Sequence, residues 1–116
     1  MNTHSKGNIG LGRAIKHFTS QGLVVSIPLT DSQPYDLVVD KDGSLLKVQV
    51  KYTTSNEVGL RTIDSSQARI KVTKFDNTKV DILFIATHDG IDIELDAKQI
   101  ECKSSLSIKK YRPVYP

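Results

Sequence analysis

The chain has no tryptophan, one cysteine, one methionine and only 6% aromatic residues. A single cysteine, Cys102, excludes an intrachain disulfide framework and a cysteine-rich zinc module. Long apolar runs are missing as well. The longest, residues 82–86, falls far short of the roughly 18 residues a membrane span needs. No apolar segment follows the start, so no signal peptide is expected and the setting reads as cytoplasmic. Acidic residues are absent before Asp31. What remains, 116 residues with 38% hydrophobic and 25% charged side chains, suits one folded domain spanning 1–116 and excludes a disordered polyelectrolyte.

The net charge of +3 is mild but unevenly spread. Residues 1–30 carry Lys6, Arg13 and Lys16 and no acid. Residues 31–46 hold Asp31, Asp36, Asp40 and Asp42 against Lys41 alone. Residues 47–80 turn basic again, with Lys47, Lys51, Arg61, Arg69, Lys71, Lys74 and Lys79. A basic surface interrupted by a small acidic pocket suits a chain that grips a polyanion and holds a cation, although such blocks also occur as plain solvated surface.

No repeat, linker or low-complexity tract divides the chain. Leu11, Ala14, Ile15 and Phe18 form one apolar stripe, which predicts a helix over 6–21 with Gly22 as its stop. Gly7, Gly10 and Gly12 are costly inside that helix and point to close packing or an approaching backbone. Strands are expected over 23–27, 35–40, 45–52, 67–73, 80–87 and 91–95, and a short helical turn over 97–101. One helix ahead of several strands gives an α+β, mixed-sheet fold rather than a repeating βαβ one.

The most informative segment is the pair 35–40 and 45–52. Asp42-Gly43 between β-branched runs signals a two-residue hairpin turn. Counting outward from it pairs Lys41 with Ser44, Asp40 with Leu45, Val38 with Lys47 and Asp36 with Gln49. Asp36, Lys47, Gln49 and Lys51 then share one face, and Leu37, Val39, Leu46, Val48 and Val50 the other.

A carboxylate and an amide oxygen about 5 Å apart can both reach one hard cation. The backbone carbonyl of Val50, between Gln49 and Lys51, offers a third oxygen. So sparse a set suits Mg²⁺, which keeps waters and takes substrate phosphate. Lys51 beside the ion could orient water and stabilise charge developing on a phosphodiester. The same residues also fit a plain strand with Gln49 and Lys51 facing solvent and Asp36 in the turn after Pro34.

Pro34-Tyr35-Asp36, followed past the hairpin by Gln49-Val50-Lys51, resembles the PD-(D/E)XK nuclease signature. Gly7-Asn8-Ile9-Gly10, Ile27-Pro28-Leu29, residues 35–39 and residues 80–84 are similar to the group I intron-associated homing endonucleases of that superfamily. The resemblance implies a mixed sheet flanked by helices, Mg²⁺-dependent cleavage of DNA phosphodiesters (with Mn²⁺ as a substitute), and a homodimer or homotetramer. It makes Asp36 a metal ligand and Lys51 the catalytic lysine. Gln49 stands at the (D/E) position, and Asp36, Gln49 and Val50 would hold the metal. Lys6, Arg13, Lys47, Arg61, Arg69, Lys71 and Lys74 become the expected DNA contacts. Two departures follow from the same resemblance. Gln49 supplies an amide where most relatives supply a carboxylate. Leu11 stands where many relatives carry a first-helix Glu.

The implied activity is that of a homing endonuclease or a Holliday-junction resolvase. A second class is a nuclease fold with a weakened metal site that keeps DNA or protein contacts. Leu11 and Gln49 favour it, and the retained Lys51 opposes it. His4, His17 and His88 lack metal-ligand spacing and read as surface residues, and Cys102 reads as a small, buried or half-buried residue. The glycines of residues 7–12 follow no strand and precede no Lys-Ser/Thr, so they do not form a nucleotide loop. Lys109, Lys110, Tyr111 and Arg112 could contact phosphate and stack on a base, but read first as a frayed basic tail. Asp40 reads as a cap of the hairpin turn, or as a substitute ligand for the missing acid.

Overall fold

The structure, a computed structural model, describes residues 3–30, 32–64, 71–101 and 104–112. The helix α1 runs from Thr3–Thr19, starting and ending slightly ahead of the 6–21 expected from the stripe. Ala14 and Phe18 are buried, with Leu11 and Ile15 half-buried beside them, so the stripe is the face that packs. Its end is a Schellman turn. Gly22 takes a φ of 81°, the Gly22 amide donates to Thr19 O at 3.0 Å, and the Leu23 amide donates to Phe18 O at 3.3 Å.

Among the described residues nine strands follow: β1 (Val24–Ser26), β2 (Leu37–Lys41), β3 (Ser44–Thr53), β4 (Glu57–Gly59), β5 (Thr62–Asp64), β6 (Lys71–Thr73), β7 (Ile82–Thr87), β8 (Asp92–Asp96) and β9 (Ser105–Ser107). Five of them form one mixed sheet in the order β1-β2-β3-β7-β8. Only β3 and β7 run parallel; the other pairs are antiparallel. This is the expected α+β arrangement of a helix on a mixed sheet. β4 pairs with β9, and β5 with β6, as two-stranded ribbons. Strands β4, β5 and β9 were not expected, because three residues are too few to display an alternation. Of the expected 67–73 strand, residues 67–70 lie outside the described residues, as does Cys102.

The β2–β3 hairpin has the expected register: Lys41 faces Ser44, Asp40 faces Leu45 and Val38 faces Lys47. Asp42 and Gly43 both take positive φ, 54° and 84°, the signature of a type I′ turn. Asp40 caps it, accepting a bond from the Gly43 amide at 3.2 Å, and its place four residues from Asp36, about 13 Å along a strand, puts it too far away to be the substitute ligand.

Each sheet face carries its own core. Leu37, Val39, Val48, Ile82, Phe84 and Ala86 pack under Ala14 and Phe18 of α1. Leu83, Ile85 and Ile93 on the opposite face pack with Val58, Leu60, Phe75, Val80, Ala97, Ile100 and Ile108. Val80 enters this second core instead of beginning β7, as the 80–87 strand had anticipated. The second core covers the β7–β8 side of its face and leaves the β1–β2 side open, where Val24 of β1 and Leu45 at the start of β3 are exposed. Among the described residues no helix is long and apolar enough to cross a membrane.

Candidate active site

β3 is the strand on which both halves of the sheet meet. Antiparallel to β2 and parallel to β7, it sends Val48 and Val50 into the α1-side core and turns Lys47, Gln49 and Lys51 to the other face. In register, Gln49 lies beside Leu83 and Lys51 beside Ile85, both members of the second core. These two polar residues therefore stand where the covered half of that face meets the open half. Gln49 is buried at 7% exposure and Lys51 is half-buried. The alternative of a freely solvated Gln49 and Lys51 is thereby excluded.

Asp36 stands one residue ahead of β2, and its amide donates to Val48 O at 2.8 Å, the same residue that Leu37 faces in the ladder. Its carboxylate reaches across to β3, where Oδ2 accepts from the Val50 amide at 2.7 Å. In a strand the N–H and C=O of one residue point to the same side, so the Val50 carbonyl also faces the edge where β2 has ended. Pro34 explains that ending: it offers no amide for a further ladder bond. Asp36 is thus brought against Val50, the residue after Gln49, although the ladder itself ends at Leu37 opposite Val48.

Asp36 keeps solvent on one side, but its carboxyl is crowded by protein atoms. Lost hydration raises its pKa above the ordinary carboxylate value, partly offset by the Val50 hydrogen bond and by the charge of Lys51. Lys51 is the mirror case: lost hydration lowers its pKa, with Asp36 opposing. Both shifts place the pair in a partly dry environment, where electrostatic interactions are stronger than in water.

Gln49 Oε1 is buried and accepts no hydrogen bond among the described residues. An unpaired buried amide oxygen costs about 1–3 kcal/mol, so it marks a place for an absent partner. A hard cation, which prefers oxygen ligands, fits the donors present: Asp36 carboxylate, Gln49 Oε1 and the Val50 carbonyl. Among the described residues no group of three or more His, Cys, Asp and Glu converges. A site of three or more such side chains is excluded there, and the acid placed against Val50 is Asp36. Leu11 supplies no ligand. It packs half-buried against the α1-side core.

The expected DNA contacts scatter differently. Lys47 extends from β3 on the site's face and holds its ammonium 5.8 Å from the centre of the Tyr35 ring, a cation–π contact next to Asp36. Lys6 is half-buried on α1, and Arg61 is exposed, its Nε donating to Ser104 Oγ at 3.2 Å. Lys74 is exposed and lines an open hollow with Phe75, Asp76, Asn77 and Thr78 that neither Asp36, Gln49 nor Lys51 borders. Arg69 and the side chain of Lys71 lie outside the described residues. Arg13 is committed internally. Its guanidinium binds the Asp92 carboxylate and donates to the carbonyls of Thr87 and Ile91, pinning α1 to the β7–β8 turn.

Two readings of the sequence are corrected here. Lys109–Tyr111 form a 3₁₀ turn, and Arg112 is bonded to Asp89, so this segment is not a frayed tail. His17 is half-buried and bonds Glu94 at 2.8 Å, a tie between α1 and β8 rather than a free surface group. Sequence reasoning missed both because each partner lies more than 20 residues away.

Comparison with known proteins agrees with this geometry. The family model described as PD-(D/E)XK endonuclease matches residues 1–109. Among solved structures, the bacterial homing endonuclease I-Ssp6803I is similar, with a TM-score of 0.77 and 27% identity over 100% of this chain and 85% of that one. None of the curated proteins matches the chain.

Proposed function

The chain belongs to the PD-(D/E)XK endonuclease family, and from that premise we propose that it is a divalent-metal-dependent DNA endonuclease of the homing type. The observation that carries the reading is Gln49 Oε1, buried and without a partner among the described residues, on the face it shares with Lys51 and next to the Val50 amide that binds Asp36. A structural strand would satisfy that oxygen or replace the residue by an apolar one. A cation site leaves it waiting.

In this reading Asp36, Gln49 and the Val50 carbonyl would hold Mg²⁺, with Mn²⁺ as a substitute. When bound, the ion supplies Lewis-acid polarisation of a phosphate oxygen and acidifies water. The chain's own groups do the rest. Asp36 is fixed by the Val50 amide, so its free oxygen is pre-aimed and little ordering remains when substrate arrives. Lys51 donates to the phosphodiester under attack and stabilises the charge that grows on it, more strongly for being half-buried. Lys47, restrained by Tyr35, binds a neighbouring phosphate, and Lys6, Arg61, Arg69, Lys71 and Lys74 stay in the proposal as further DNA contacts on the resemblance alone. Arg13 leaves the expected set, because its donors are already used.

One chain carries one such site, so cutting both strands of a duplex calls for a homodimer or homotetramer. The likeness to a bacterial homing endonuclease favours reading of a DNA sequence over the junction shape that a resolvase reads. One observation favours a second reading, a binding module with a weakened site: among the described residues no group of three or more His, Cys, Asp and Glu converges to hold an ion. Incubation with supercoiled, linear and four-way-junction DNA, in Mg²⁺, Mn²⁺ or EDTA, separates them. Metal-dependent nicking is expected. Absence of nicking on every substrate at micromolar protein would favour the module.

A further inference from the structure

The 3₁₀ turn Lys109–Tyr111 is fastened to the end of the strand that carries Lys51. Ile108, just ahead of the turn, is fully buried in the second core, and its amide donates to Asn56 O at 2.8 Å. Asn56 lies just past β3, and Thr53, the last residue of β3, donates its hydroxyl to Glu57 O at 2.6 Å. Arg112 holds the turn from its other end through the bond to Asp89. Lys51 stands two residues ahead of Thr53, about 7 Å along the strand.

What this anchored turn presents is basic. Lys109, Lys110 and Tyr111 are exposed, the tyrosine at 38%. Among the described residues neither lysine has an ion pair. Glu57, the acid of the adjoining β4–β9 ribbon, faces Ser107, and Asp89 is taken by Arg112. Arg13 and Arg112 show what a basic residue does here as an internal brace, since each is bonded to an acid. Lys109 and Lys110 instead sit side by side, repelling one another, with their charges turned to solvent. The Lys110 ammonium lies 5.0 Å from the centre of the Tyr111 ring, a cation–π contact like that of Lys47 over Tyr35. These two restrained lysines bracket Lys51. Lys47 is four residues before it on β3, about 13 Å away, and the turn is tied beyond it.

We propose that the Lys109–Tyr111 turn is a second DNA contact, in which Lys109 and Lys110 grip backbone phosphates of the duplex whose scissile phosphate meets Lys51. It rests on the nuclease reading for the identity of the polymer, and it adds a contact outside the set expected from the resemblance. The turn has no part in the metal chemistry, so its grip persists without a divalent ion. A cation already restrained by a neighbouring ring loses less freedom when a phosphate arrives. Each phosphate neutralised on duplex DNA adds about 0.9 to the log–log salt slope, so the two lysines together account for about 2.

The test reads affinity, not cleavage, for a fluorescently labelled random-sequence duplex in EDTA over a range of salt. The whole chain is compared with Lys109→Gln/Lys110→Gln, with Lys109→Arg/Lys110→Arg, and with Lys41→Gln/Lys79→Gln, a control that removes two exposed lysines elsewhere. The glutamine pair at the turn should melt close to the parent, bind roughly 10- to 100-fold more weakly at about 0.1 M salt, and show a slope smaller by about 2. The arginine pair should keep the parent's slope. The control should stay within about threefold of the parent, because distant surface charges are screened. Parental affinity and slope in Lys109→Gln/Lys110→Gln, or an equal loss in the control, would overturn the contact and leave the nuclease reading standing. Loss of binding to a labelled polyglutamate peptide with DNA binding unchanged would make the turn a site for an acidic protein, which also overturns it. Failure of the nuclease reading looks different: a chain that nicks no DNA yet loses DNA affinity with these two lysines keeps the contact and gives up the activity.

Discussion

The three glycines of the first half of α1 look alike in sequence and differ sharply in surroundings, which gives a quantitative test of how the helix sits on the sheet. A Cβ added at Gly7 or Gly12 would meet nothing within 4 Å, and both positions are exposed. A Cβ at Gly10 would lie 3.2 Å from Val50 Cγ1, 3.7 Å from Tyr52 Cβ and 3.8 Å from Lys51 O. Gly10 is thus the point where the helix backbone rests on the strand that carries Gln49 and Lys51. Gly→Ala in an exposed helix interior gains about 0.5–1 kcal/mol. Positions 7 and 12 are about 7.5 Å apart along the axis, so their gains should add to about 1–2 kcal/mol. At this chain length that raises the melting temperature by roughly 4 °C per kcal/mol. At Gly10 the same propensity gain is opposed by overpacking against Val50, which costs about 1–3 kcal/mol, so Gly10→Ala should be neutral to destabilising. Urea denaturation of the three single variants and of the Gly7→Ala/Gly12→Ala double variant measures this directly. A Gly10→Ala protein stabilised as much as Gly12→Ala, or a destabilised double variant, would refute the packing of α1 on β3.

Other outcomes follow from the site. The raised pKa of Asp36 means that the folded chain holds this proton more tightly than the unfolded chain does. In metal-free protein, stability should fall as pH rises from the ordinary carboxylate value through the raised one, and stay lowered above it. Asp36→Asn removes that loss, so its melting temperature should exceed the parent's at neutral pH and converge with it in acid. A variant less stable than the parent at neutral pH would contradict the assignment. Leu11→Glu should fold, lose about 1–2 kcal/mol because the leucine is only half-buried, and lower the Mg²⁺ needed for half-maximal nicking. A large drop in melting temperature with unchanged Mg²⁺ demand would show that this side chain does not reach the pocket. DNA affinity should fall steeply with salt, with a log–log slope near −5 if about six phosphates are neutralised. A salt-independent binding constant would argue against a nucleic-acid partner.

How much of this was legible in the sequence depended on the range of the interaction. The hairpin register, and with it the shared face of Lys47, Gln49 and Lys51, followed from Asp42-Gly43 and the period of two, because turn chemistry and pleat are local. The stop at Gly22 was legible for the same reason. The burial of Gln49 was not. It comes from Leu83 and Ile85, brought alongside by a parallel pairing whose register no local pattern encodes. The diversion of Arg13 from DNA to Asp92, Thr87 and Ile91 likewise depends on a packing contact 74–79 residues away. Basic residues on a helix look the same in sequence whether they face a phosphate or a neighbouring turn.

The central claim, that Asp36 and Lys51 act on a DNA phosphodiester, is tested most directly by one assay: Mg²⁺-dependent nicking of supercoiled plasmid by Asp36→Ala and Lys51→Ala, beside the parent protein. Removing a group that stabilises the transition state costs about 10²–10³ in rate. Each variant should therefore lose at least that much nicking while keeping its fold and binding DNA nearly as well as the parent. Near-parental nicking by either variant would contradict the account.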